Sequence, residues 1–236
     1  SLHHFGNCLN QFKKLIRIML MRSLTIEQIE EILSDCPFDD FKSSVLVETG
    51  TYEGGTVFKL YEYFQKIHTI ELNKKVLDIT INKSNQMGIE NINFYNGQSQ
   101  DILPELINKD LNNNDQQCIF FLDAHYTYNP YGLTSRGDID VPVLKEIEII
   151  CNLFKKRCII IINNADVMGN NNLDETAQAD WSEINKLAVI KASINRNTEL
   201  KYFSSINGRN PDDRLVLFVD KPIIDSTTLN QSISYM

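Results

Sequence analysis

The stretch that decides the fold is residues 45–57, Val-Leu-Val-Glu-Thr-Gly-Thr-Tyr-Glu-Gly-Gly-Thr-Val. Its first three residues form an aliphatic run of the kind that is buried in a parallel sheet. Gly50 then allows a positive φ and a close approach of a ligand to the main chain. Gly54, Gly55 and Thr56 open a helix whose free N–H groups would face that ligand. The stretch therefore predicts a strand, a ligand-binding turn and a helix.

A second acid supports a nucleoside-type ligand at this turn. Glu71 lies at the predicted end of the next strand, one helix further along the chain than Glu48. An acidic side chain in that place can accept hydrogen bonds from both hydroxyls of a ribose. The alternative is that the glycines only tighten a turn between strand and helix. Because the spacing, the strand context and the acid agree, we favour the ligand.

The pattern Glu48-x-Gly50-x-x-x-Gly54, followed by Glu71, resembles the first two motifs of class I S-adenosylmethionine-dependent methyltransferases. The resemblance covers residues 43–220. It implies an α/β fold, a Rossmann-like α/β/α sandwich with a seven-stranded, mostly parallel sheet and an antiparallel last strand. It also implies S-adenosylmethionine as the cofactor. The implied cofactor-binding residues are Glu48, Gly50, Thr51, Tyr52, Gly54, Thr56, Glu71, Leu72, Gly97, Gln98, Ser99 and Asp123.

Gln98 lies in the turn that follows the predicted third strand, Ile92 to Tyr95. In class I methyltransferases the residues here lie against the adenine, often with an acid that accepts from its exocyclic amine. This chain has glutamine instead, and a glutamine carbonyl can accept the same hydrogen bond. An ordinary turn is the alternative interpretation.

Asp123 and His125 follow the predicted buried strand Cys118 to Leu122. Ligands in open α/β sheets bind outside the carboxyl ends of the strands, so both side chains are expected at the ligand site. A histidine can take a hydroxyl proton near neutral pH, and an adjacent carboxylate can orient it or hold a cation. We predict that His125 is the catalytic base and Asp123 its partner. The other histidines, including His68, are expected to be structural.

The residues after this strand indicate which branch of the methyltransferases the chain resembles. Phe-Leu-Asp-Ala-His-Tyr, residues 121–126, is followed by Arg136-Gly137-Asp138-x-Asp140-x-Pro142-x-x-x-Glu146. This string is similar to sugar O-methyltransferases of the macrocin and polysaccharide-cluster type. It implies a sugar, nucleotide-sugar or glycosylated small molecule as the methyl acceptor. Asn129-Pro130-Tyr131 resembles part of a DNA methyltransferase motif, but it lacks the second proline and lies too far past the strand.

Asn163 and Asn164 follow the predicted fifth strand, Arg157 to Ile162. In metal-dependent relatives an Asp-Asp or Asp-Asn pair here, together with the acid after the fourth strand, holds magnesium. The resemblance therefore implies a candidate Mg²⁺ site at Asp123, Asn163 and Asn164. Magnesium prefers carboxylates to amides. A metal is accordingly expected to matter less here than in those relatives.

The amino-acid composition limits the classes of partner that the chain is expected to bind. The chain has 236 residues, a net charge of −8 and a sequence pI of about 5.0. An acidic chain is a poor ligand for nucleic acid. The five cysteines are odd in number and lack C-x-x-C spacing, which indicates reduced thiols. There is no apolar run of about 18 residues, the length needed to span a membrane. We expect a cytoplasmic protein that binds neither nucleic acid nor membranes.

The chain is predicted to contain an N-terminal helical arm, 1–41, a methyltransferase domain, 42–220, and a C-terminal tail, 221–236. The arm has one apolar helical face from Phe12 to Leu20 and a second helix after a capping box at Thr25-x-x-Gln28. A cover on the sheet is the favoured role of the arm, and a homodimer contact is the second. Further helices are predicted at 73–86, after Pro142 and at 181–192, with a closing antiparallel pair at 200–203 and 215–219. Charges in that hairpin, Arg209 and Arg214, are expected to be solvated.

Two other functions stay open at this stage. One is a metal-dependent O-methyltransferase that acts on catechols. The other is a protein that binds the cofactor without turnover, which the Asn163-Asn164 pair makes worth considering. A nucleotide-sugar dehydrogenase is excluded because the first motif lacks G-x-G-x-x-G.

Overall fold

A computed structural model describes residues 23–34, 41–128, 133–170, 179–204 and 211–221. The predicted helix at Phe12 to Leu20, the Asn129-Pro130-Tyr131 segment and the hairpin tip lie outside these ranges. The homodimer contact through the arm stays a prediction. The helices are α1 (Ile26–Ser34), α2 (Val57–Leu60), α3 (Lys74–Gln86), α4 (Ser99–Lys109), α5 (Val143–Leu153) and α6 (Lys186–Ala192). The strands are β1 (Val45–Thr49), β2 (Lys66–Glu71), β3 (Ile92–Asn96), β4 (Cys118–Leu122), β5 (Cys158–Asn163), β6 (Asn197–Phe203) and β7 (Arg214–Lys221).

The seven strands form one sheet in the order β3-β2-β1-β4-β5-β7-β6. Neighbours among β1 to β5 pair in parallel, whereas β7 pairs antiparallel with both β5 and β6. Every residue of β1, β4 and β5 is buried, as expected for strands covered on both faces. The predicted seven-stranded, mostly parallel sheet of a Rossmann-like fold is confirmed.

Helices cover both faces of the sheet because successive strand side chains point to opposite sides. Val45 and Val47 belong to the apolar cluster that contains Leu103 of α4 and Ile147 of α5. Leu46, between them, belongs to the other cluster, with residues of α1 and α2. The arm thus contributes one cover of the sheet, through α1.

Helix ends partly follow the sequence prediction. Thr25 Oγ1 accepts from Gln28 N at 3.3 Å, but the Gln28 side chain donates to Ser204 O at 3.2 Å instead of returning to Thr25. Half of the capping box is therefore present, and its other half ties α1 to the end of β6. The helix predicted at 73–86 is confirmed, since Asn73 caps α3 by accepting from Lys75 N and Val76 N.

Two helices differ from the sequence prediction. The prediction missed α4 because it begins with three polar residues and contains Pro104, which hides its buried face. The helix predicted from Trp181 starts only at Lys186, because Asn185 caps it by accepting from Ala188 N at 3.0 Å. Trp181 is nevertheless buried, in the turn before that cap.

Three cysteines in the described ranges are free and buried, namely Cys118, Cys151 and Cys158. Burial raises the pKa of Cys118 to about 12 and that of Cys151 to about 11. These side chains are therefore unreactive thiols, as the sequence predicts. No helix in the described ranges combines the length and the apolar character that a membrane span requires.

Gly50 packs directly against the backbone that follows β4. Its φ is +85°, and a Cβ built on it would lie 2.5 Å from Asp123 O and 3.0 Å from Ala124 N. The sequence predicts that a ligand approaches the main chain here, but on the Cβ side the space is filled by this neighbouring loop. Gly50 is required because two strand-end loops touch at this point.

We expect Gly50→Ala to destabilise the fold more than Gly88→Ala does. Gly88 also has positive φ, but a Cβ there meets no atom within 4 Å, so alanine costs only the left-handed strain of about 1–2 kcal/mol. At Gly50 the overpacking adds about 1–3 kcal/mol. Urea denaturation of both variants measures the difference, and equal losses would show that the β4 loop moves aside freely.

Candidate active site

A cavity of about 520 Å³ opens at the carboxyl ends of the central strands, within the range of about 300–1,000 Å³ that is usual for small-molecule sites. His125, Asn163 and Asn164 all contribute to its lining. Gly54 is the one predicted cofactor-binding residue outside the lining, and a Cβ built on it would clash with the Phe58 ring. The predicted cofactor-binding residues that line the cavity are Glu48, Gly50, Thr51, Tyr52, Thr56, Glu71, Leu72, Gly97, Gln98, Ser99 and Asp123.

Glu71 ends β2 with its carboxylate held by backbone N–H groups. Tyr52 N donates to Oε2 at 2.8 Å and Asn73 N donates to Oε1 at 2.7 Å. Tyr52 itself has φ of 46°, and the Thr80 hydroxyl donates to its carbonyl at 2.8 Å. Burial raises the pKa of Glu71, although the backbone donors oppose this. A carboxylate offers about four acceptor positions, so this oriented group can also accept from a ligand.

Glu48 is almost completely buried, with 1% of its surface exposed. The Thr69 hydroxyl donates to its Oε2 at 2.7 Å, and Thr51 Oγ1 lies 2.6 Å from that hydroxyl. Burial raises the pKa of Glu48 to about 8, and the nearby carboxylates of Asp123 and Glu71 add to the rise. Glu48 is therefore a neutral acid at pH 7.

Gln98 holds the loop that forms one wall of the cavity. Its Oε1 accepts from Asp138 N at 2.7 Å, and its Nε2 donates to Asp138 Oδ2 at 2.9 Å. A Cβ at Gly137 would lie 2.8 Å from the same Oε1, so the loop approaches Gln98 closely. The sequence predicts that this carbonyl accepts from an adenine amine. In the structure its oxygen is engaged by the loop, so Gln98 joins the cofactor turn to the wall.

His125 lies between three side chains at the end of β4. Its Nδ1 is 3.5 Å from Asp123 Oδ1, its Nε2 is 3.1 Å from Asn164 Nδ2, and its ring meets Trp181 edge-on with 5.3 Å between centroids. An amide nitrogen can only donate, so with the amide as assigned Nε2 is the acceptor and Nδ1 carries the proton. The structure thus brings the predicted pair of His125 and Asp123 together, with their nearest nitrogen and oxygen atoms 3.5 Å apart.

Asn163 does not fit the predicted role of a magnesium ligand. Its Oδ1 accepts from Asn164 N at 2.9 Å and from the Arg214 guanidinium, while its Nδ2 donates to Asp123 Oδ1 at 2.5 Å. The Asn164 amide nitrogen faces His125 rather than offering an oxygen there. Within the described ranges, no group of three or more His, Cys, Asp or Glu side chains could hold a metal. Because both ends of its amide are engaged, Asn163 does not fit the predicted three-residue magnesium site, in which Asn164 Oδ1, buried without a hydrogen-bond partner, would be the remaining amide ligand.

The sequence analysis did not predict that two ionisable side chains, Arg214 and Glu146, are buried. Arg214 was expected to be solvated, but its side chain is fully buried, because it is the first residue of a strand rather than part of the turn. Arg209 lies outside the described residues. Glu146 is also fully buried, and neither of its carboxyl oxygens has a partner in hydrogen-bonding geometry. It lies near the hydroxyls of Ser99 and Thr49, and burial raises its pKa to about 7.

Solved methyltransferase structures share this fold. An O-methyltransferase from Bacillus cereus in complex with S-adenosylhomocysteine superposes with a TM-score of 0.55 at 15% identity, covering 85% of this chain and 83% of that chain. An S-adenosylmethionine-dependent methyltransferase from Clostridium acetobutylicum gives 0.54 at 13% identity, covering 91% and 99%. The O-methyltransferase TomG from Streptomyces achromogenes, in complex with S-adenosylmethionine, gives 0.51 at 15% identity, covering 76% and 74%. At such identities the likeness establishes the fold.

No protein-family model matches the sequence, and no curated protein matches it.

We expect Glu146→Gln to flatten the dependence of stability on pH. Between pH 4.5 and 7 the unfolded chain ionises Glu146 while the folded chain keeps it protonated. The free energy of unfolding therefore falls as the pH rises, by about 3 kcal/mol at most from this group. The glutamine side chain cannot ionise, so the variant should gain stability over the wild type at pH 8 but not at pH 4.

Chemical denaturation across this pH range measures the effect. Glu148→Gln is the matched control, because Glu148 lies on the same helix with its side chain 49% exposed. The control should leave the slope nearly unchanged. If Glu146→Gln does not reduce the slope of the free energy of unfolding against pH, water or a hydrogen bond stabilises the buried carboxylate.

Proposed function

We propose that this protein binds S-adenosylmethionine in the cavity and transfers its methyl group to a hydroxyl of a small molecule, most specifically of a sugar or glycoside. The observation that carries the proposal is the Glu71 carboxylate, fixed by two backbone N–H groups beside the glycine turn at the cavity wall. Its remaining acceptor positions suit the two hydroxyls of a ribose. The fold, shared with solved methyltransferases, supports the same ligand.

The charge of the cavity supports a cationic cofactor. No lysine or arginine is found among the described residues of its lining. S-adenosylmethionine carries a sulfonium and an ammonium against one carboxylate, so an acidic site complements it. Phosphates would meet no lysine or arginine in the described lining, which favours an uncharged sugar over a nucleotide-sugar as the acceptor. The acids in the lining are Glu48, Glu53, Glu71, Asp123 and Asp140.

The neighbouring side chains support a hydroxyl acceptor. Once bound, the cofactor supplies an electrophilic methyl group, and most of the rate enhancement is expected from in-line positioning. The acceptor hydroxyl would replace Asn164 Nδ2 as the partner of His125 Nε2. His125 Nε2 would accept the proton of this hydroxyl while the methyl–sulfur bond of the bound sulfonium breaks and its electron pair stays on sulfur, and Asp123 would stabilise the resulting imidazolium through Nδ1.

The sugar acceptor rests on the sequence resemblance and on the composition of the wall. The loop that Gln98 holds places Thr134, Ser135 and Asp140 in the lining, which also includes the aromatic residues Tyr126 and Trp181. Hydroxyl-bearing rings are suited to such a mixture of aromatic faces and hydrogen-bonding groups. The catechol-type alternative loses support because Asn163 does not fit as a ligand of a magnesium ion. An assay of methyl transfer distinguishes the proposed enzyme from a protein that binds the cofactor without turnover.

Glu71→Ala should weaken binding of S-adenosylmethionine and of S-adenosylhomocysteine by about 1–3 kcal/mol, the scale of a lost charge-assisted hydrogen bond. Calorimetric titration measures both affinities. Glu90→Ala is the control, because Glu90 is exposed and lies outside the cavity lining. If the wild type and Glu71→Ala bind the two ligands equally tightly, Glu71 at the end of β2 does not bind the ribose.

His125→Gln should lower the turnover number by about 10²- to 10⁴-fold, the usual contribution of a positioned base, with cofactor affinity nearly unchanged. The assay follows a labelled methyl group into panels of neutral sugars and glycosides, nucleotide-sugars and catechols. Turnover of the wild type should fall at acidic pH, where the imidazole is protonated, and the variant should lose this dependence.

His68→Gln is the matched control. His68 is fully buried, with its Nδ1 2.9 Å from the Tyr95 hydroxyl, and burial lowers its pKa to about 4. This variant should lower the melting temperature and leave the turnover number unchanged. If His125→Gln instead lowers melting temperature and cofactor affinity together, His125 is structural and the base lies elsewhere.

A further inference from the structure

Arg214 is the largest fully buried side chain in the described ranges. It opens β7 directly opposite Asn163 in the antiparallel register with β5. Buried Asp213 lies 3.8 Å from its Nη1, and the Phe121 ring centroid lies 5.6 Å from its Cζ. A guanidinium removed from water needs partners. One of its partners here is Asn163, a side chain of the cavity lining.

The Asn163 amide is held in a single orientation by two donors. The Arg214 guanidinium and Asn164 N both donate to Oδ1. An amide oxygen has two lone pairs, so both are engaged. The NH₂ group must then face the opposite side, where it donates to Asp123 Oδ1 at 2.5 Å. An amide nitrogen that donates has no lone pair for a metal, and neither end of Asn163 is left to bind one.

We infer that Arg214 is a positioning residue that excludes a divalent cation from the cluster of Asp123, Asn163 and Asn164. It does so by occupying Oδ1 of Asn163 and turning the amide N–H toward Asp123. A cation at that oxygen would displace the guanidinium and then lie beside its positive charge. Arg214 thus holds a positive charge next to Asn163, outside the cavity lining and beside the buried Asp213.

The catalytic consequence rests on the proposed function, in which Asp123 orients His125. With Asn163 donating to it, the Asp123 carboxylate is fixed by a neutral group rather than by a metal. The imidazole then faces the Asp123 carboxylate with no cation needed between them. Methyl transfer by this site should accordingly proceed at full rate after treatment with a chelator.

Manganese alone, added to the protein without a cofactor, tests the exclusion. Free Mn²⁺ is quantified by electron paramagnetic resonance, and paramagnetic broadening of the His125 ring signals locates bound ion by NMR. Three proteins are compared: the wild type, Asn163→Asp, and Asn163→Asp combined with Arg214→Met. The wild type and Asn163→Asp should show no broadening at an equimolar ratio, because the guanidinium pairs with the new carboxylate. The double variant should bind Mn²⁺ at least tenfold more tightly than Asn163→Asp.

Submillimolar Mn²⁺ binding that broadens His125 in the wild type would overturn the inference. The same holds if Asn163→Asp alone binds as tightly as the double variant, or if the double variant folds and gains no affinity. The Asn163→Asp variant keeps the buried Arg214 guanidinium. Its affinity for Mn²⁺ therefore tests the exclusion even if the double variant does not fold. Tight binding there overturns the inference, and weak binding supports it.

Calorimetric titration of the same proteins with S-adenosylmethionine separates this inference from the proposed function. If the wild type fails to bind the cofactor, the proposed function is wrong while the manganese result still holds. If the wild type binds the cofactor and its methyl transfer is abolished by a chelator, Arg214 does not exclude the metal.

Discussion

The contact between Gly50 and the backbone of Asp123 is the constraint on which the site depends. Parallel neighbours β1 and β4 end at the same edge of the sheet, and their loops can touch only because residue 50 has no side chain. That contact fixes the distance between the two loops. The Asp123 carboxylate consequently lies close enough to help raise the pKa of Glu48. The strands that flank this pair, β2 and β5, place Glu71 and Asn163 at the same edge of the sheet.

The positions of the strands along the chain follow from features that are local in sequence. Runs such as Cys118 to Leu122 and Cys158 to Ile162 are short, apolar and separated by helical stretches, which is the pattern of a parallel sheet. The structure confirms those strands to within a residue or two. Local patterns failed where polar residues start a helix, as at Ser99, and where a cap lies inside an apolar stretch, as at Asn185.

The candidate site was predictable where a polar side chain ends or closely follows a buried strand. Glu71, Asp123 and His125 were found by this rule, and the structure brings them to one cavity. The partners of Gln98 and Asn163 were not predictable, because they depend on chain segments 40 and 51 residues away. A turn-like Asp-Asp-Arg sequence also gives no sign that its arginine starts a buried strand, since that depends on pairing with β5.

The neutral state of Glu48 makes the charge of the cavity variable. Burial, with help from the neighbouring acids, holds its pKa at about 8, so near neutral pH it keeps a proton that an exposed glutamate would have lost. A cation that enters the cavity favours the ionised form and expels this proton. Occupancy and proton release are then thermodynamically linked, and the affinity for a cation rises with pH until Glu48 is already ionised. For the proposed cationic ligand, the acid buried beneath the glycine turn would therefore make binding depend on the pH of the solution.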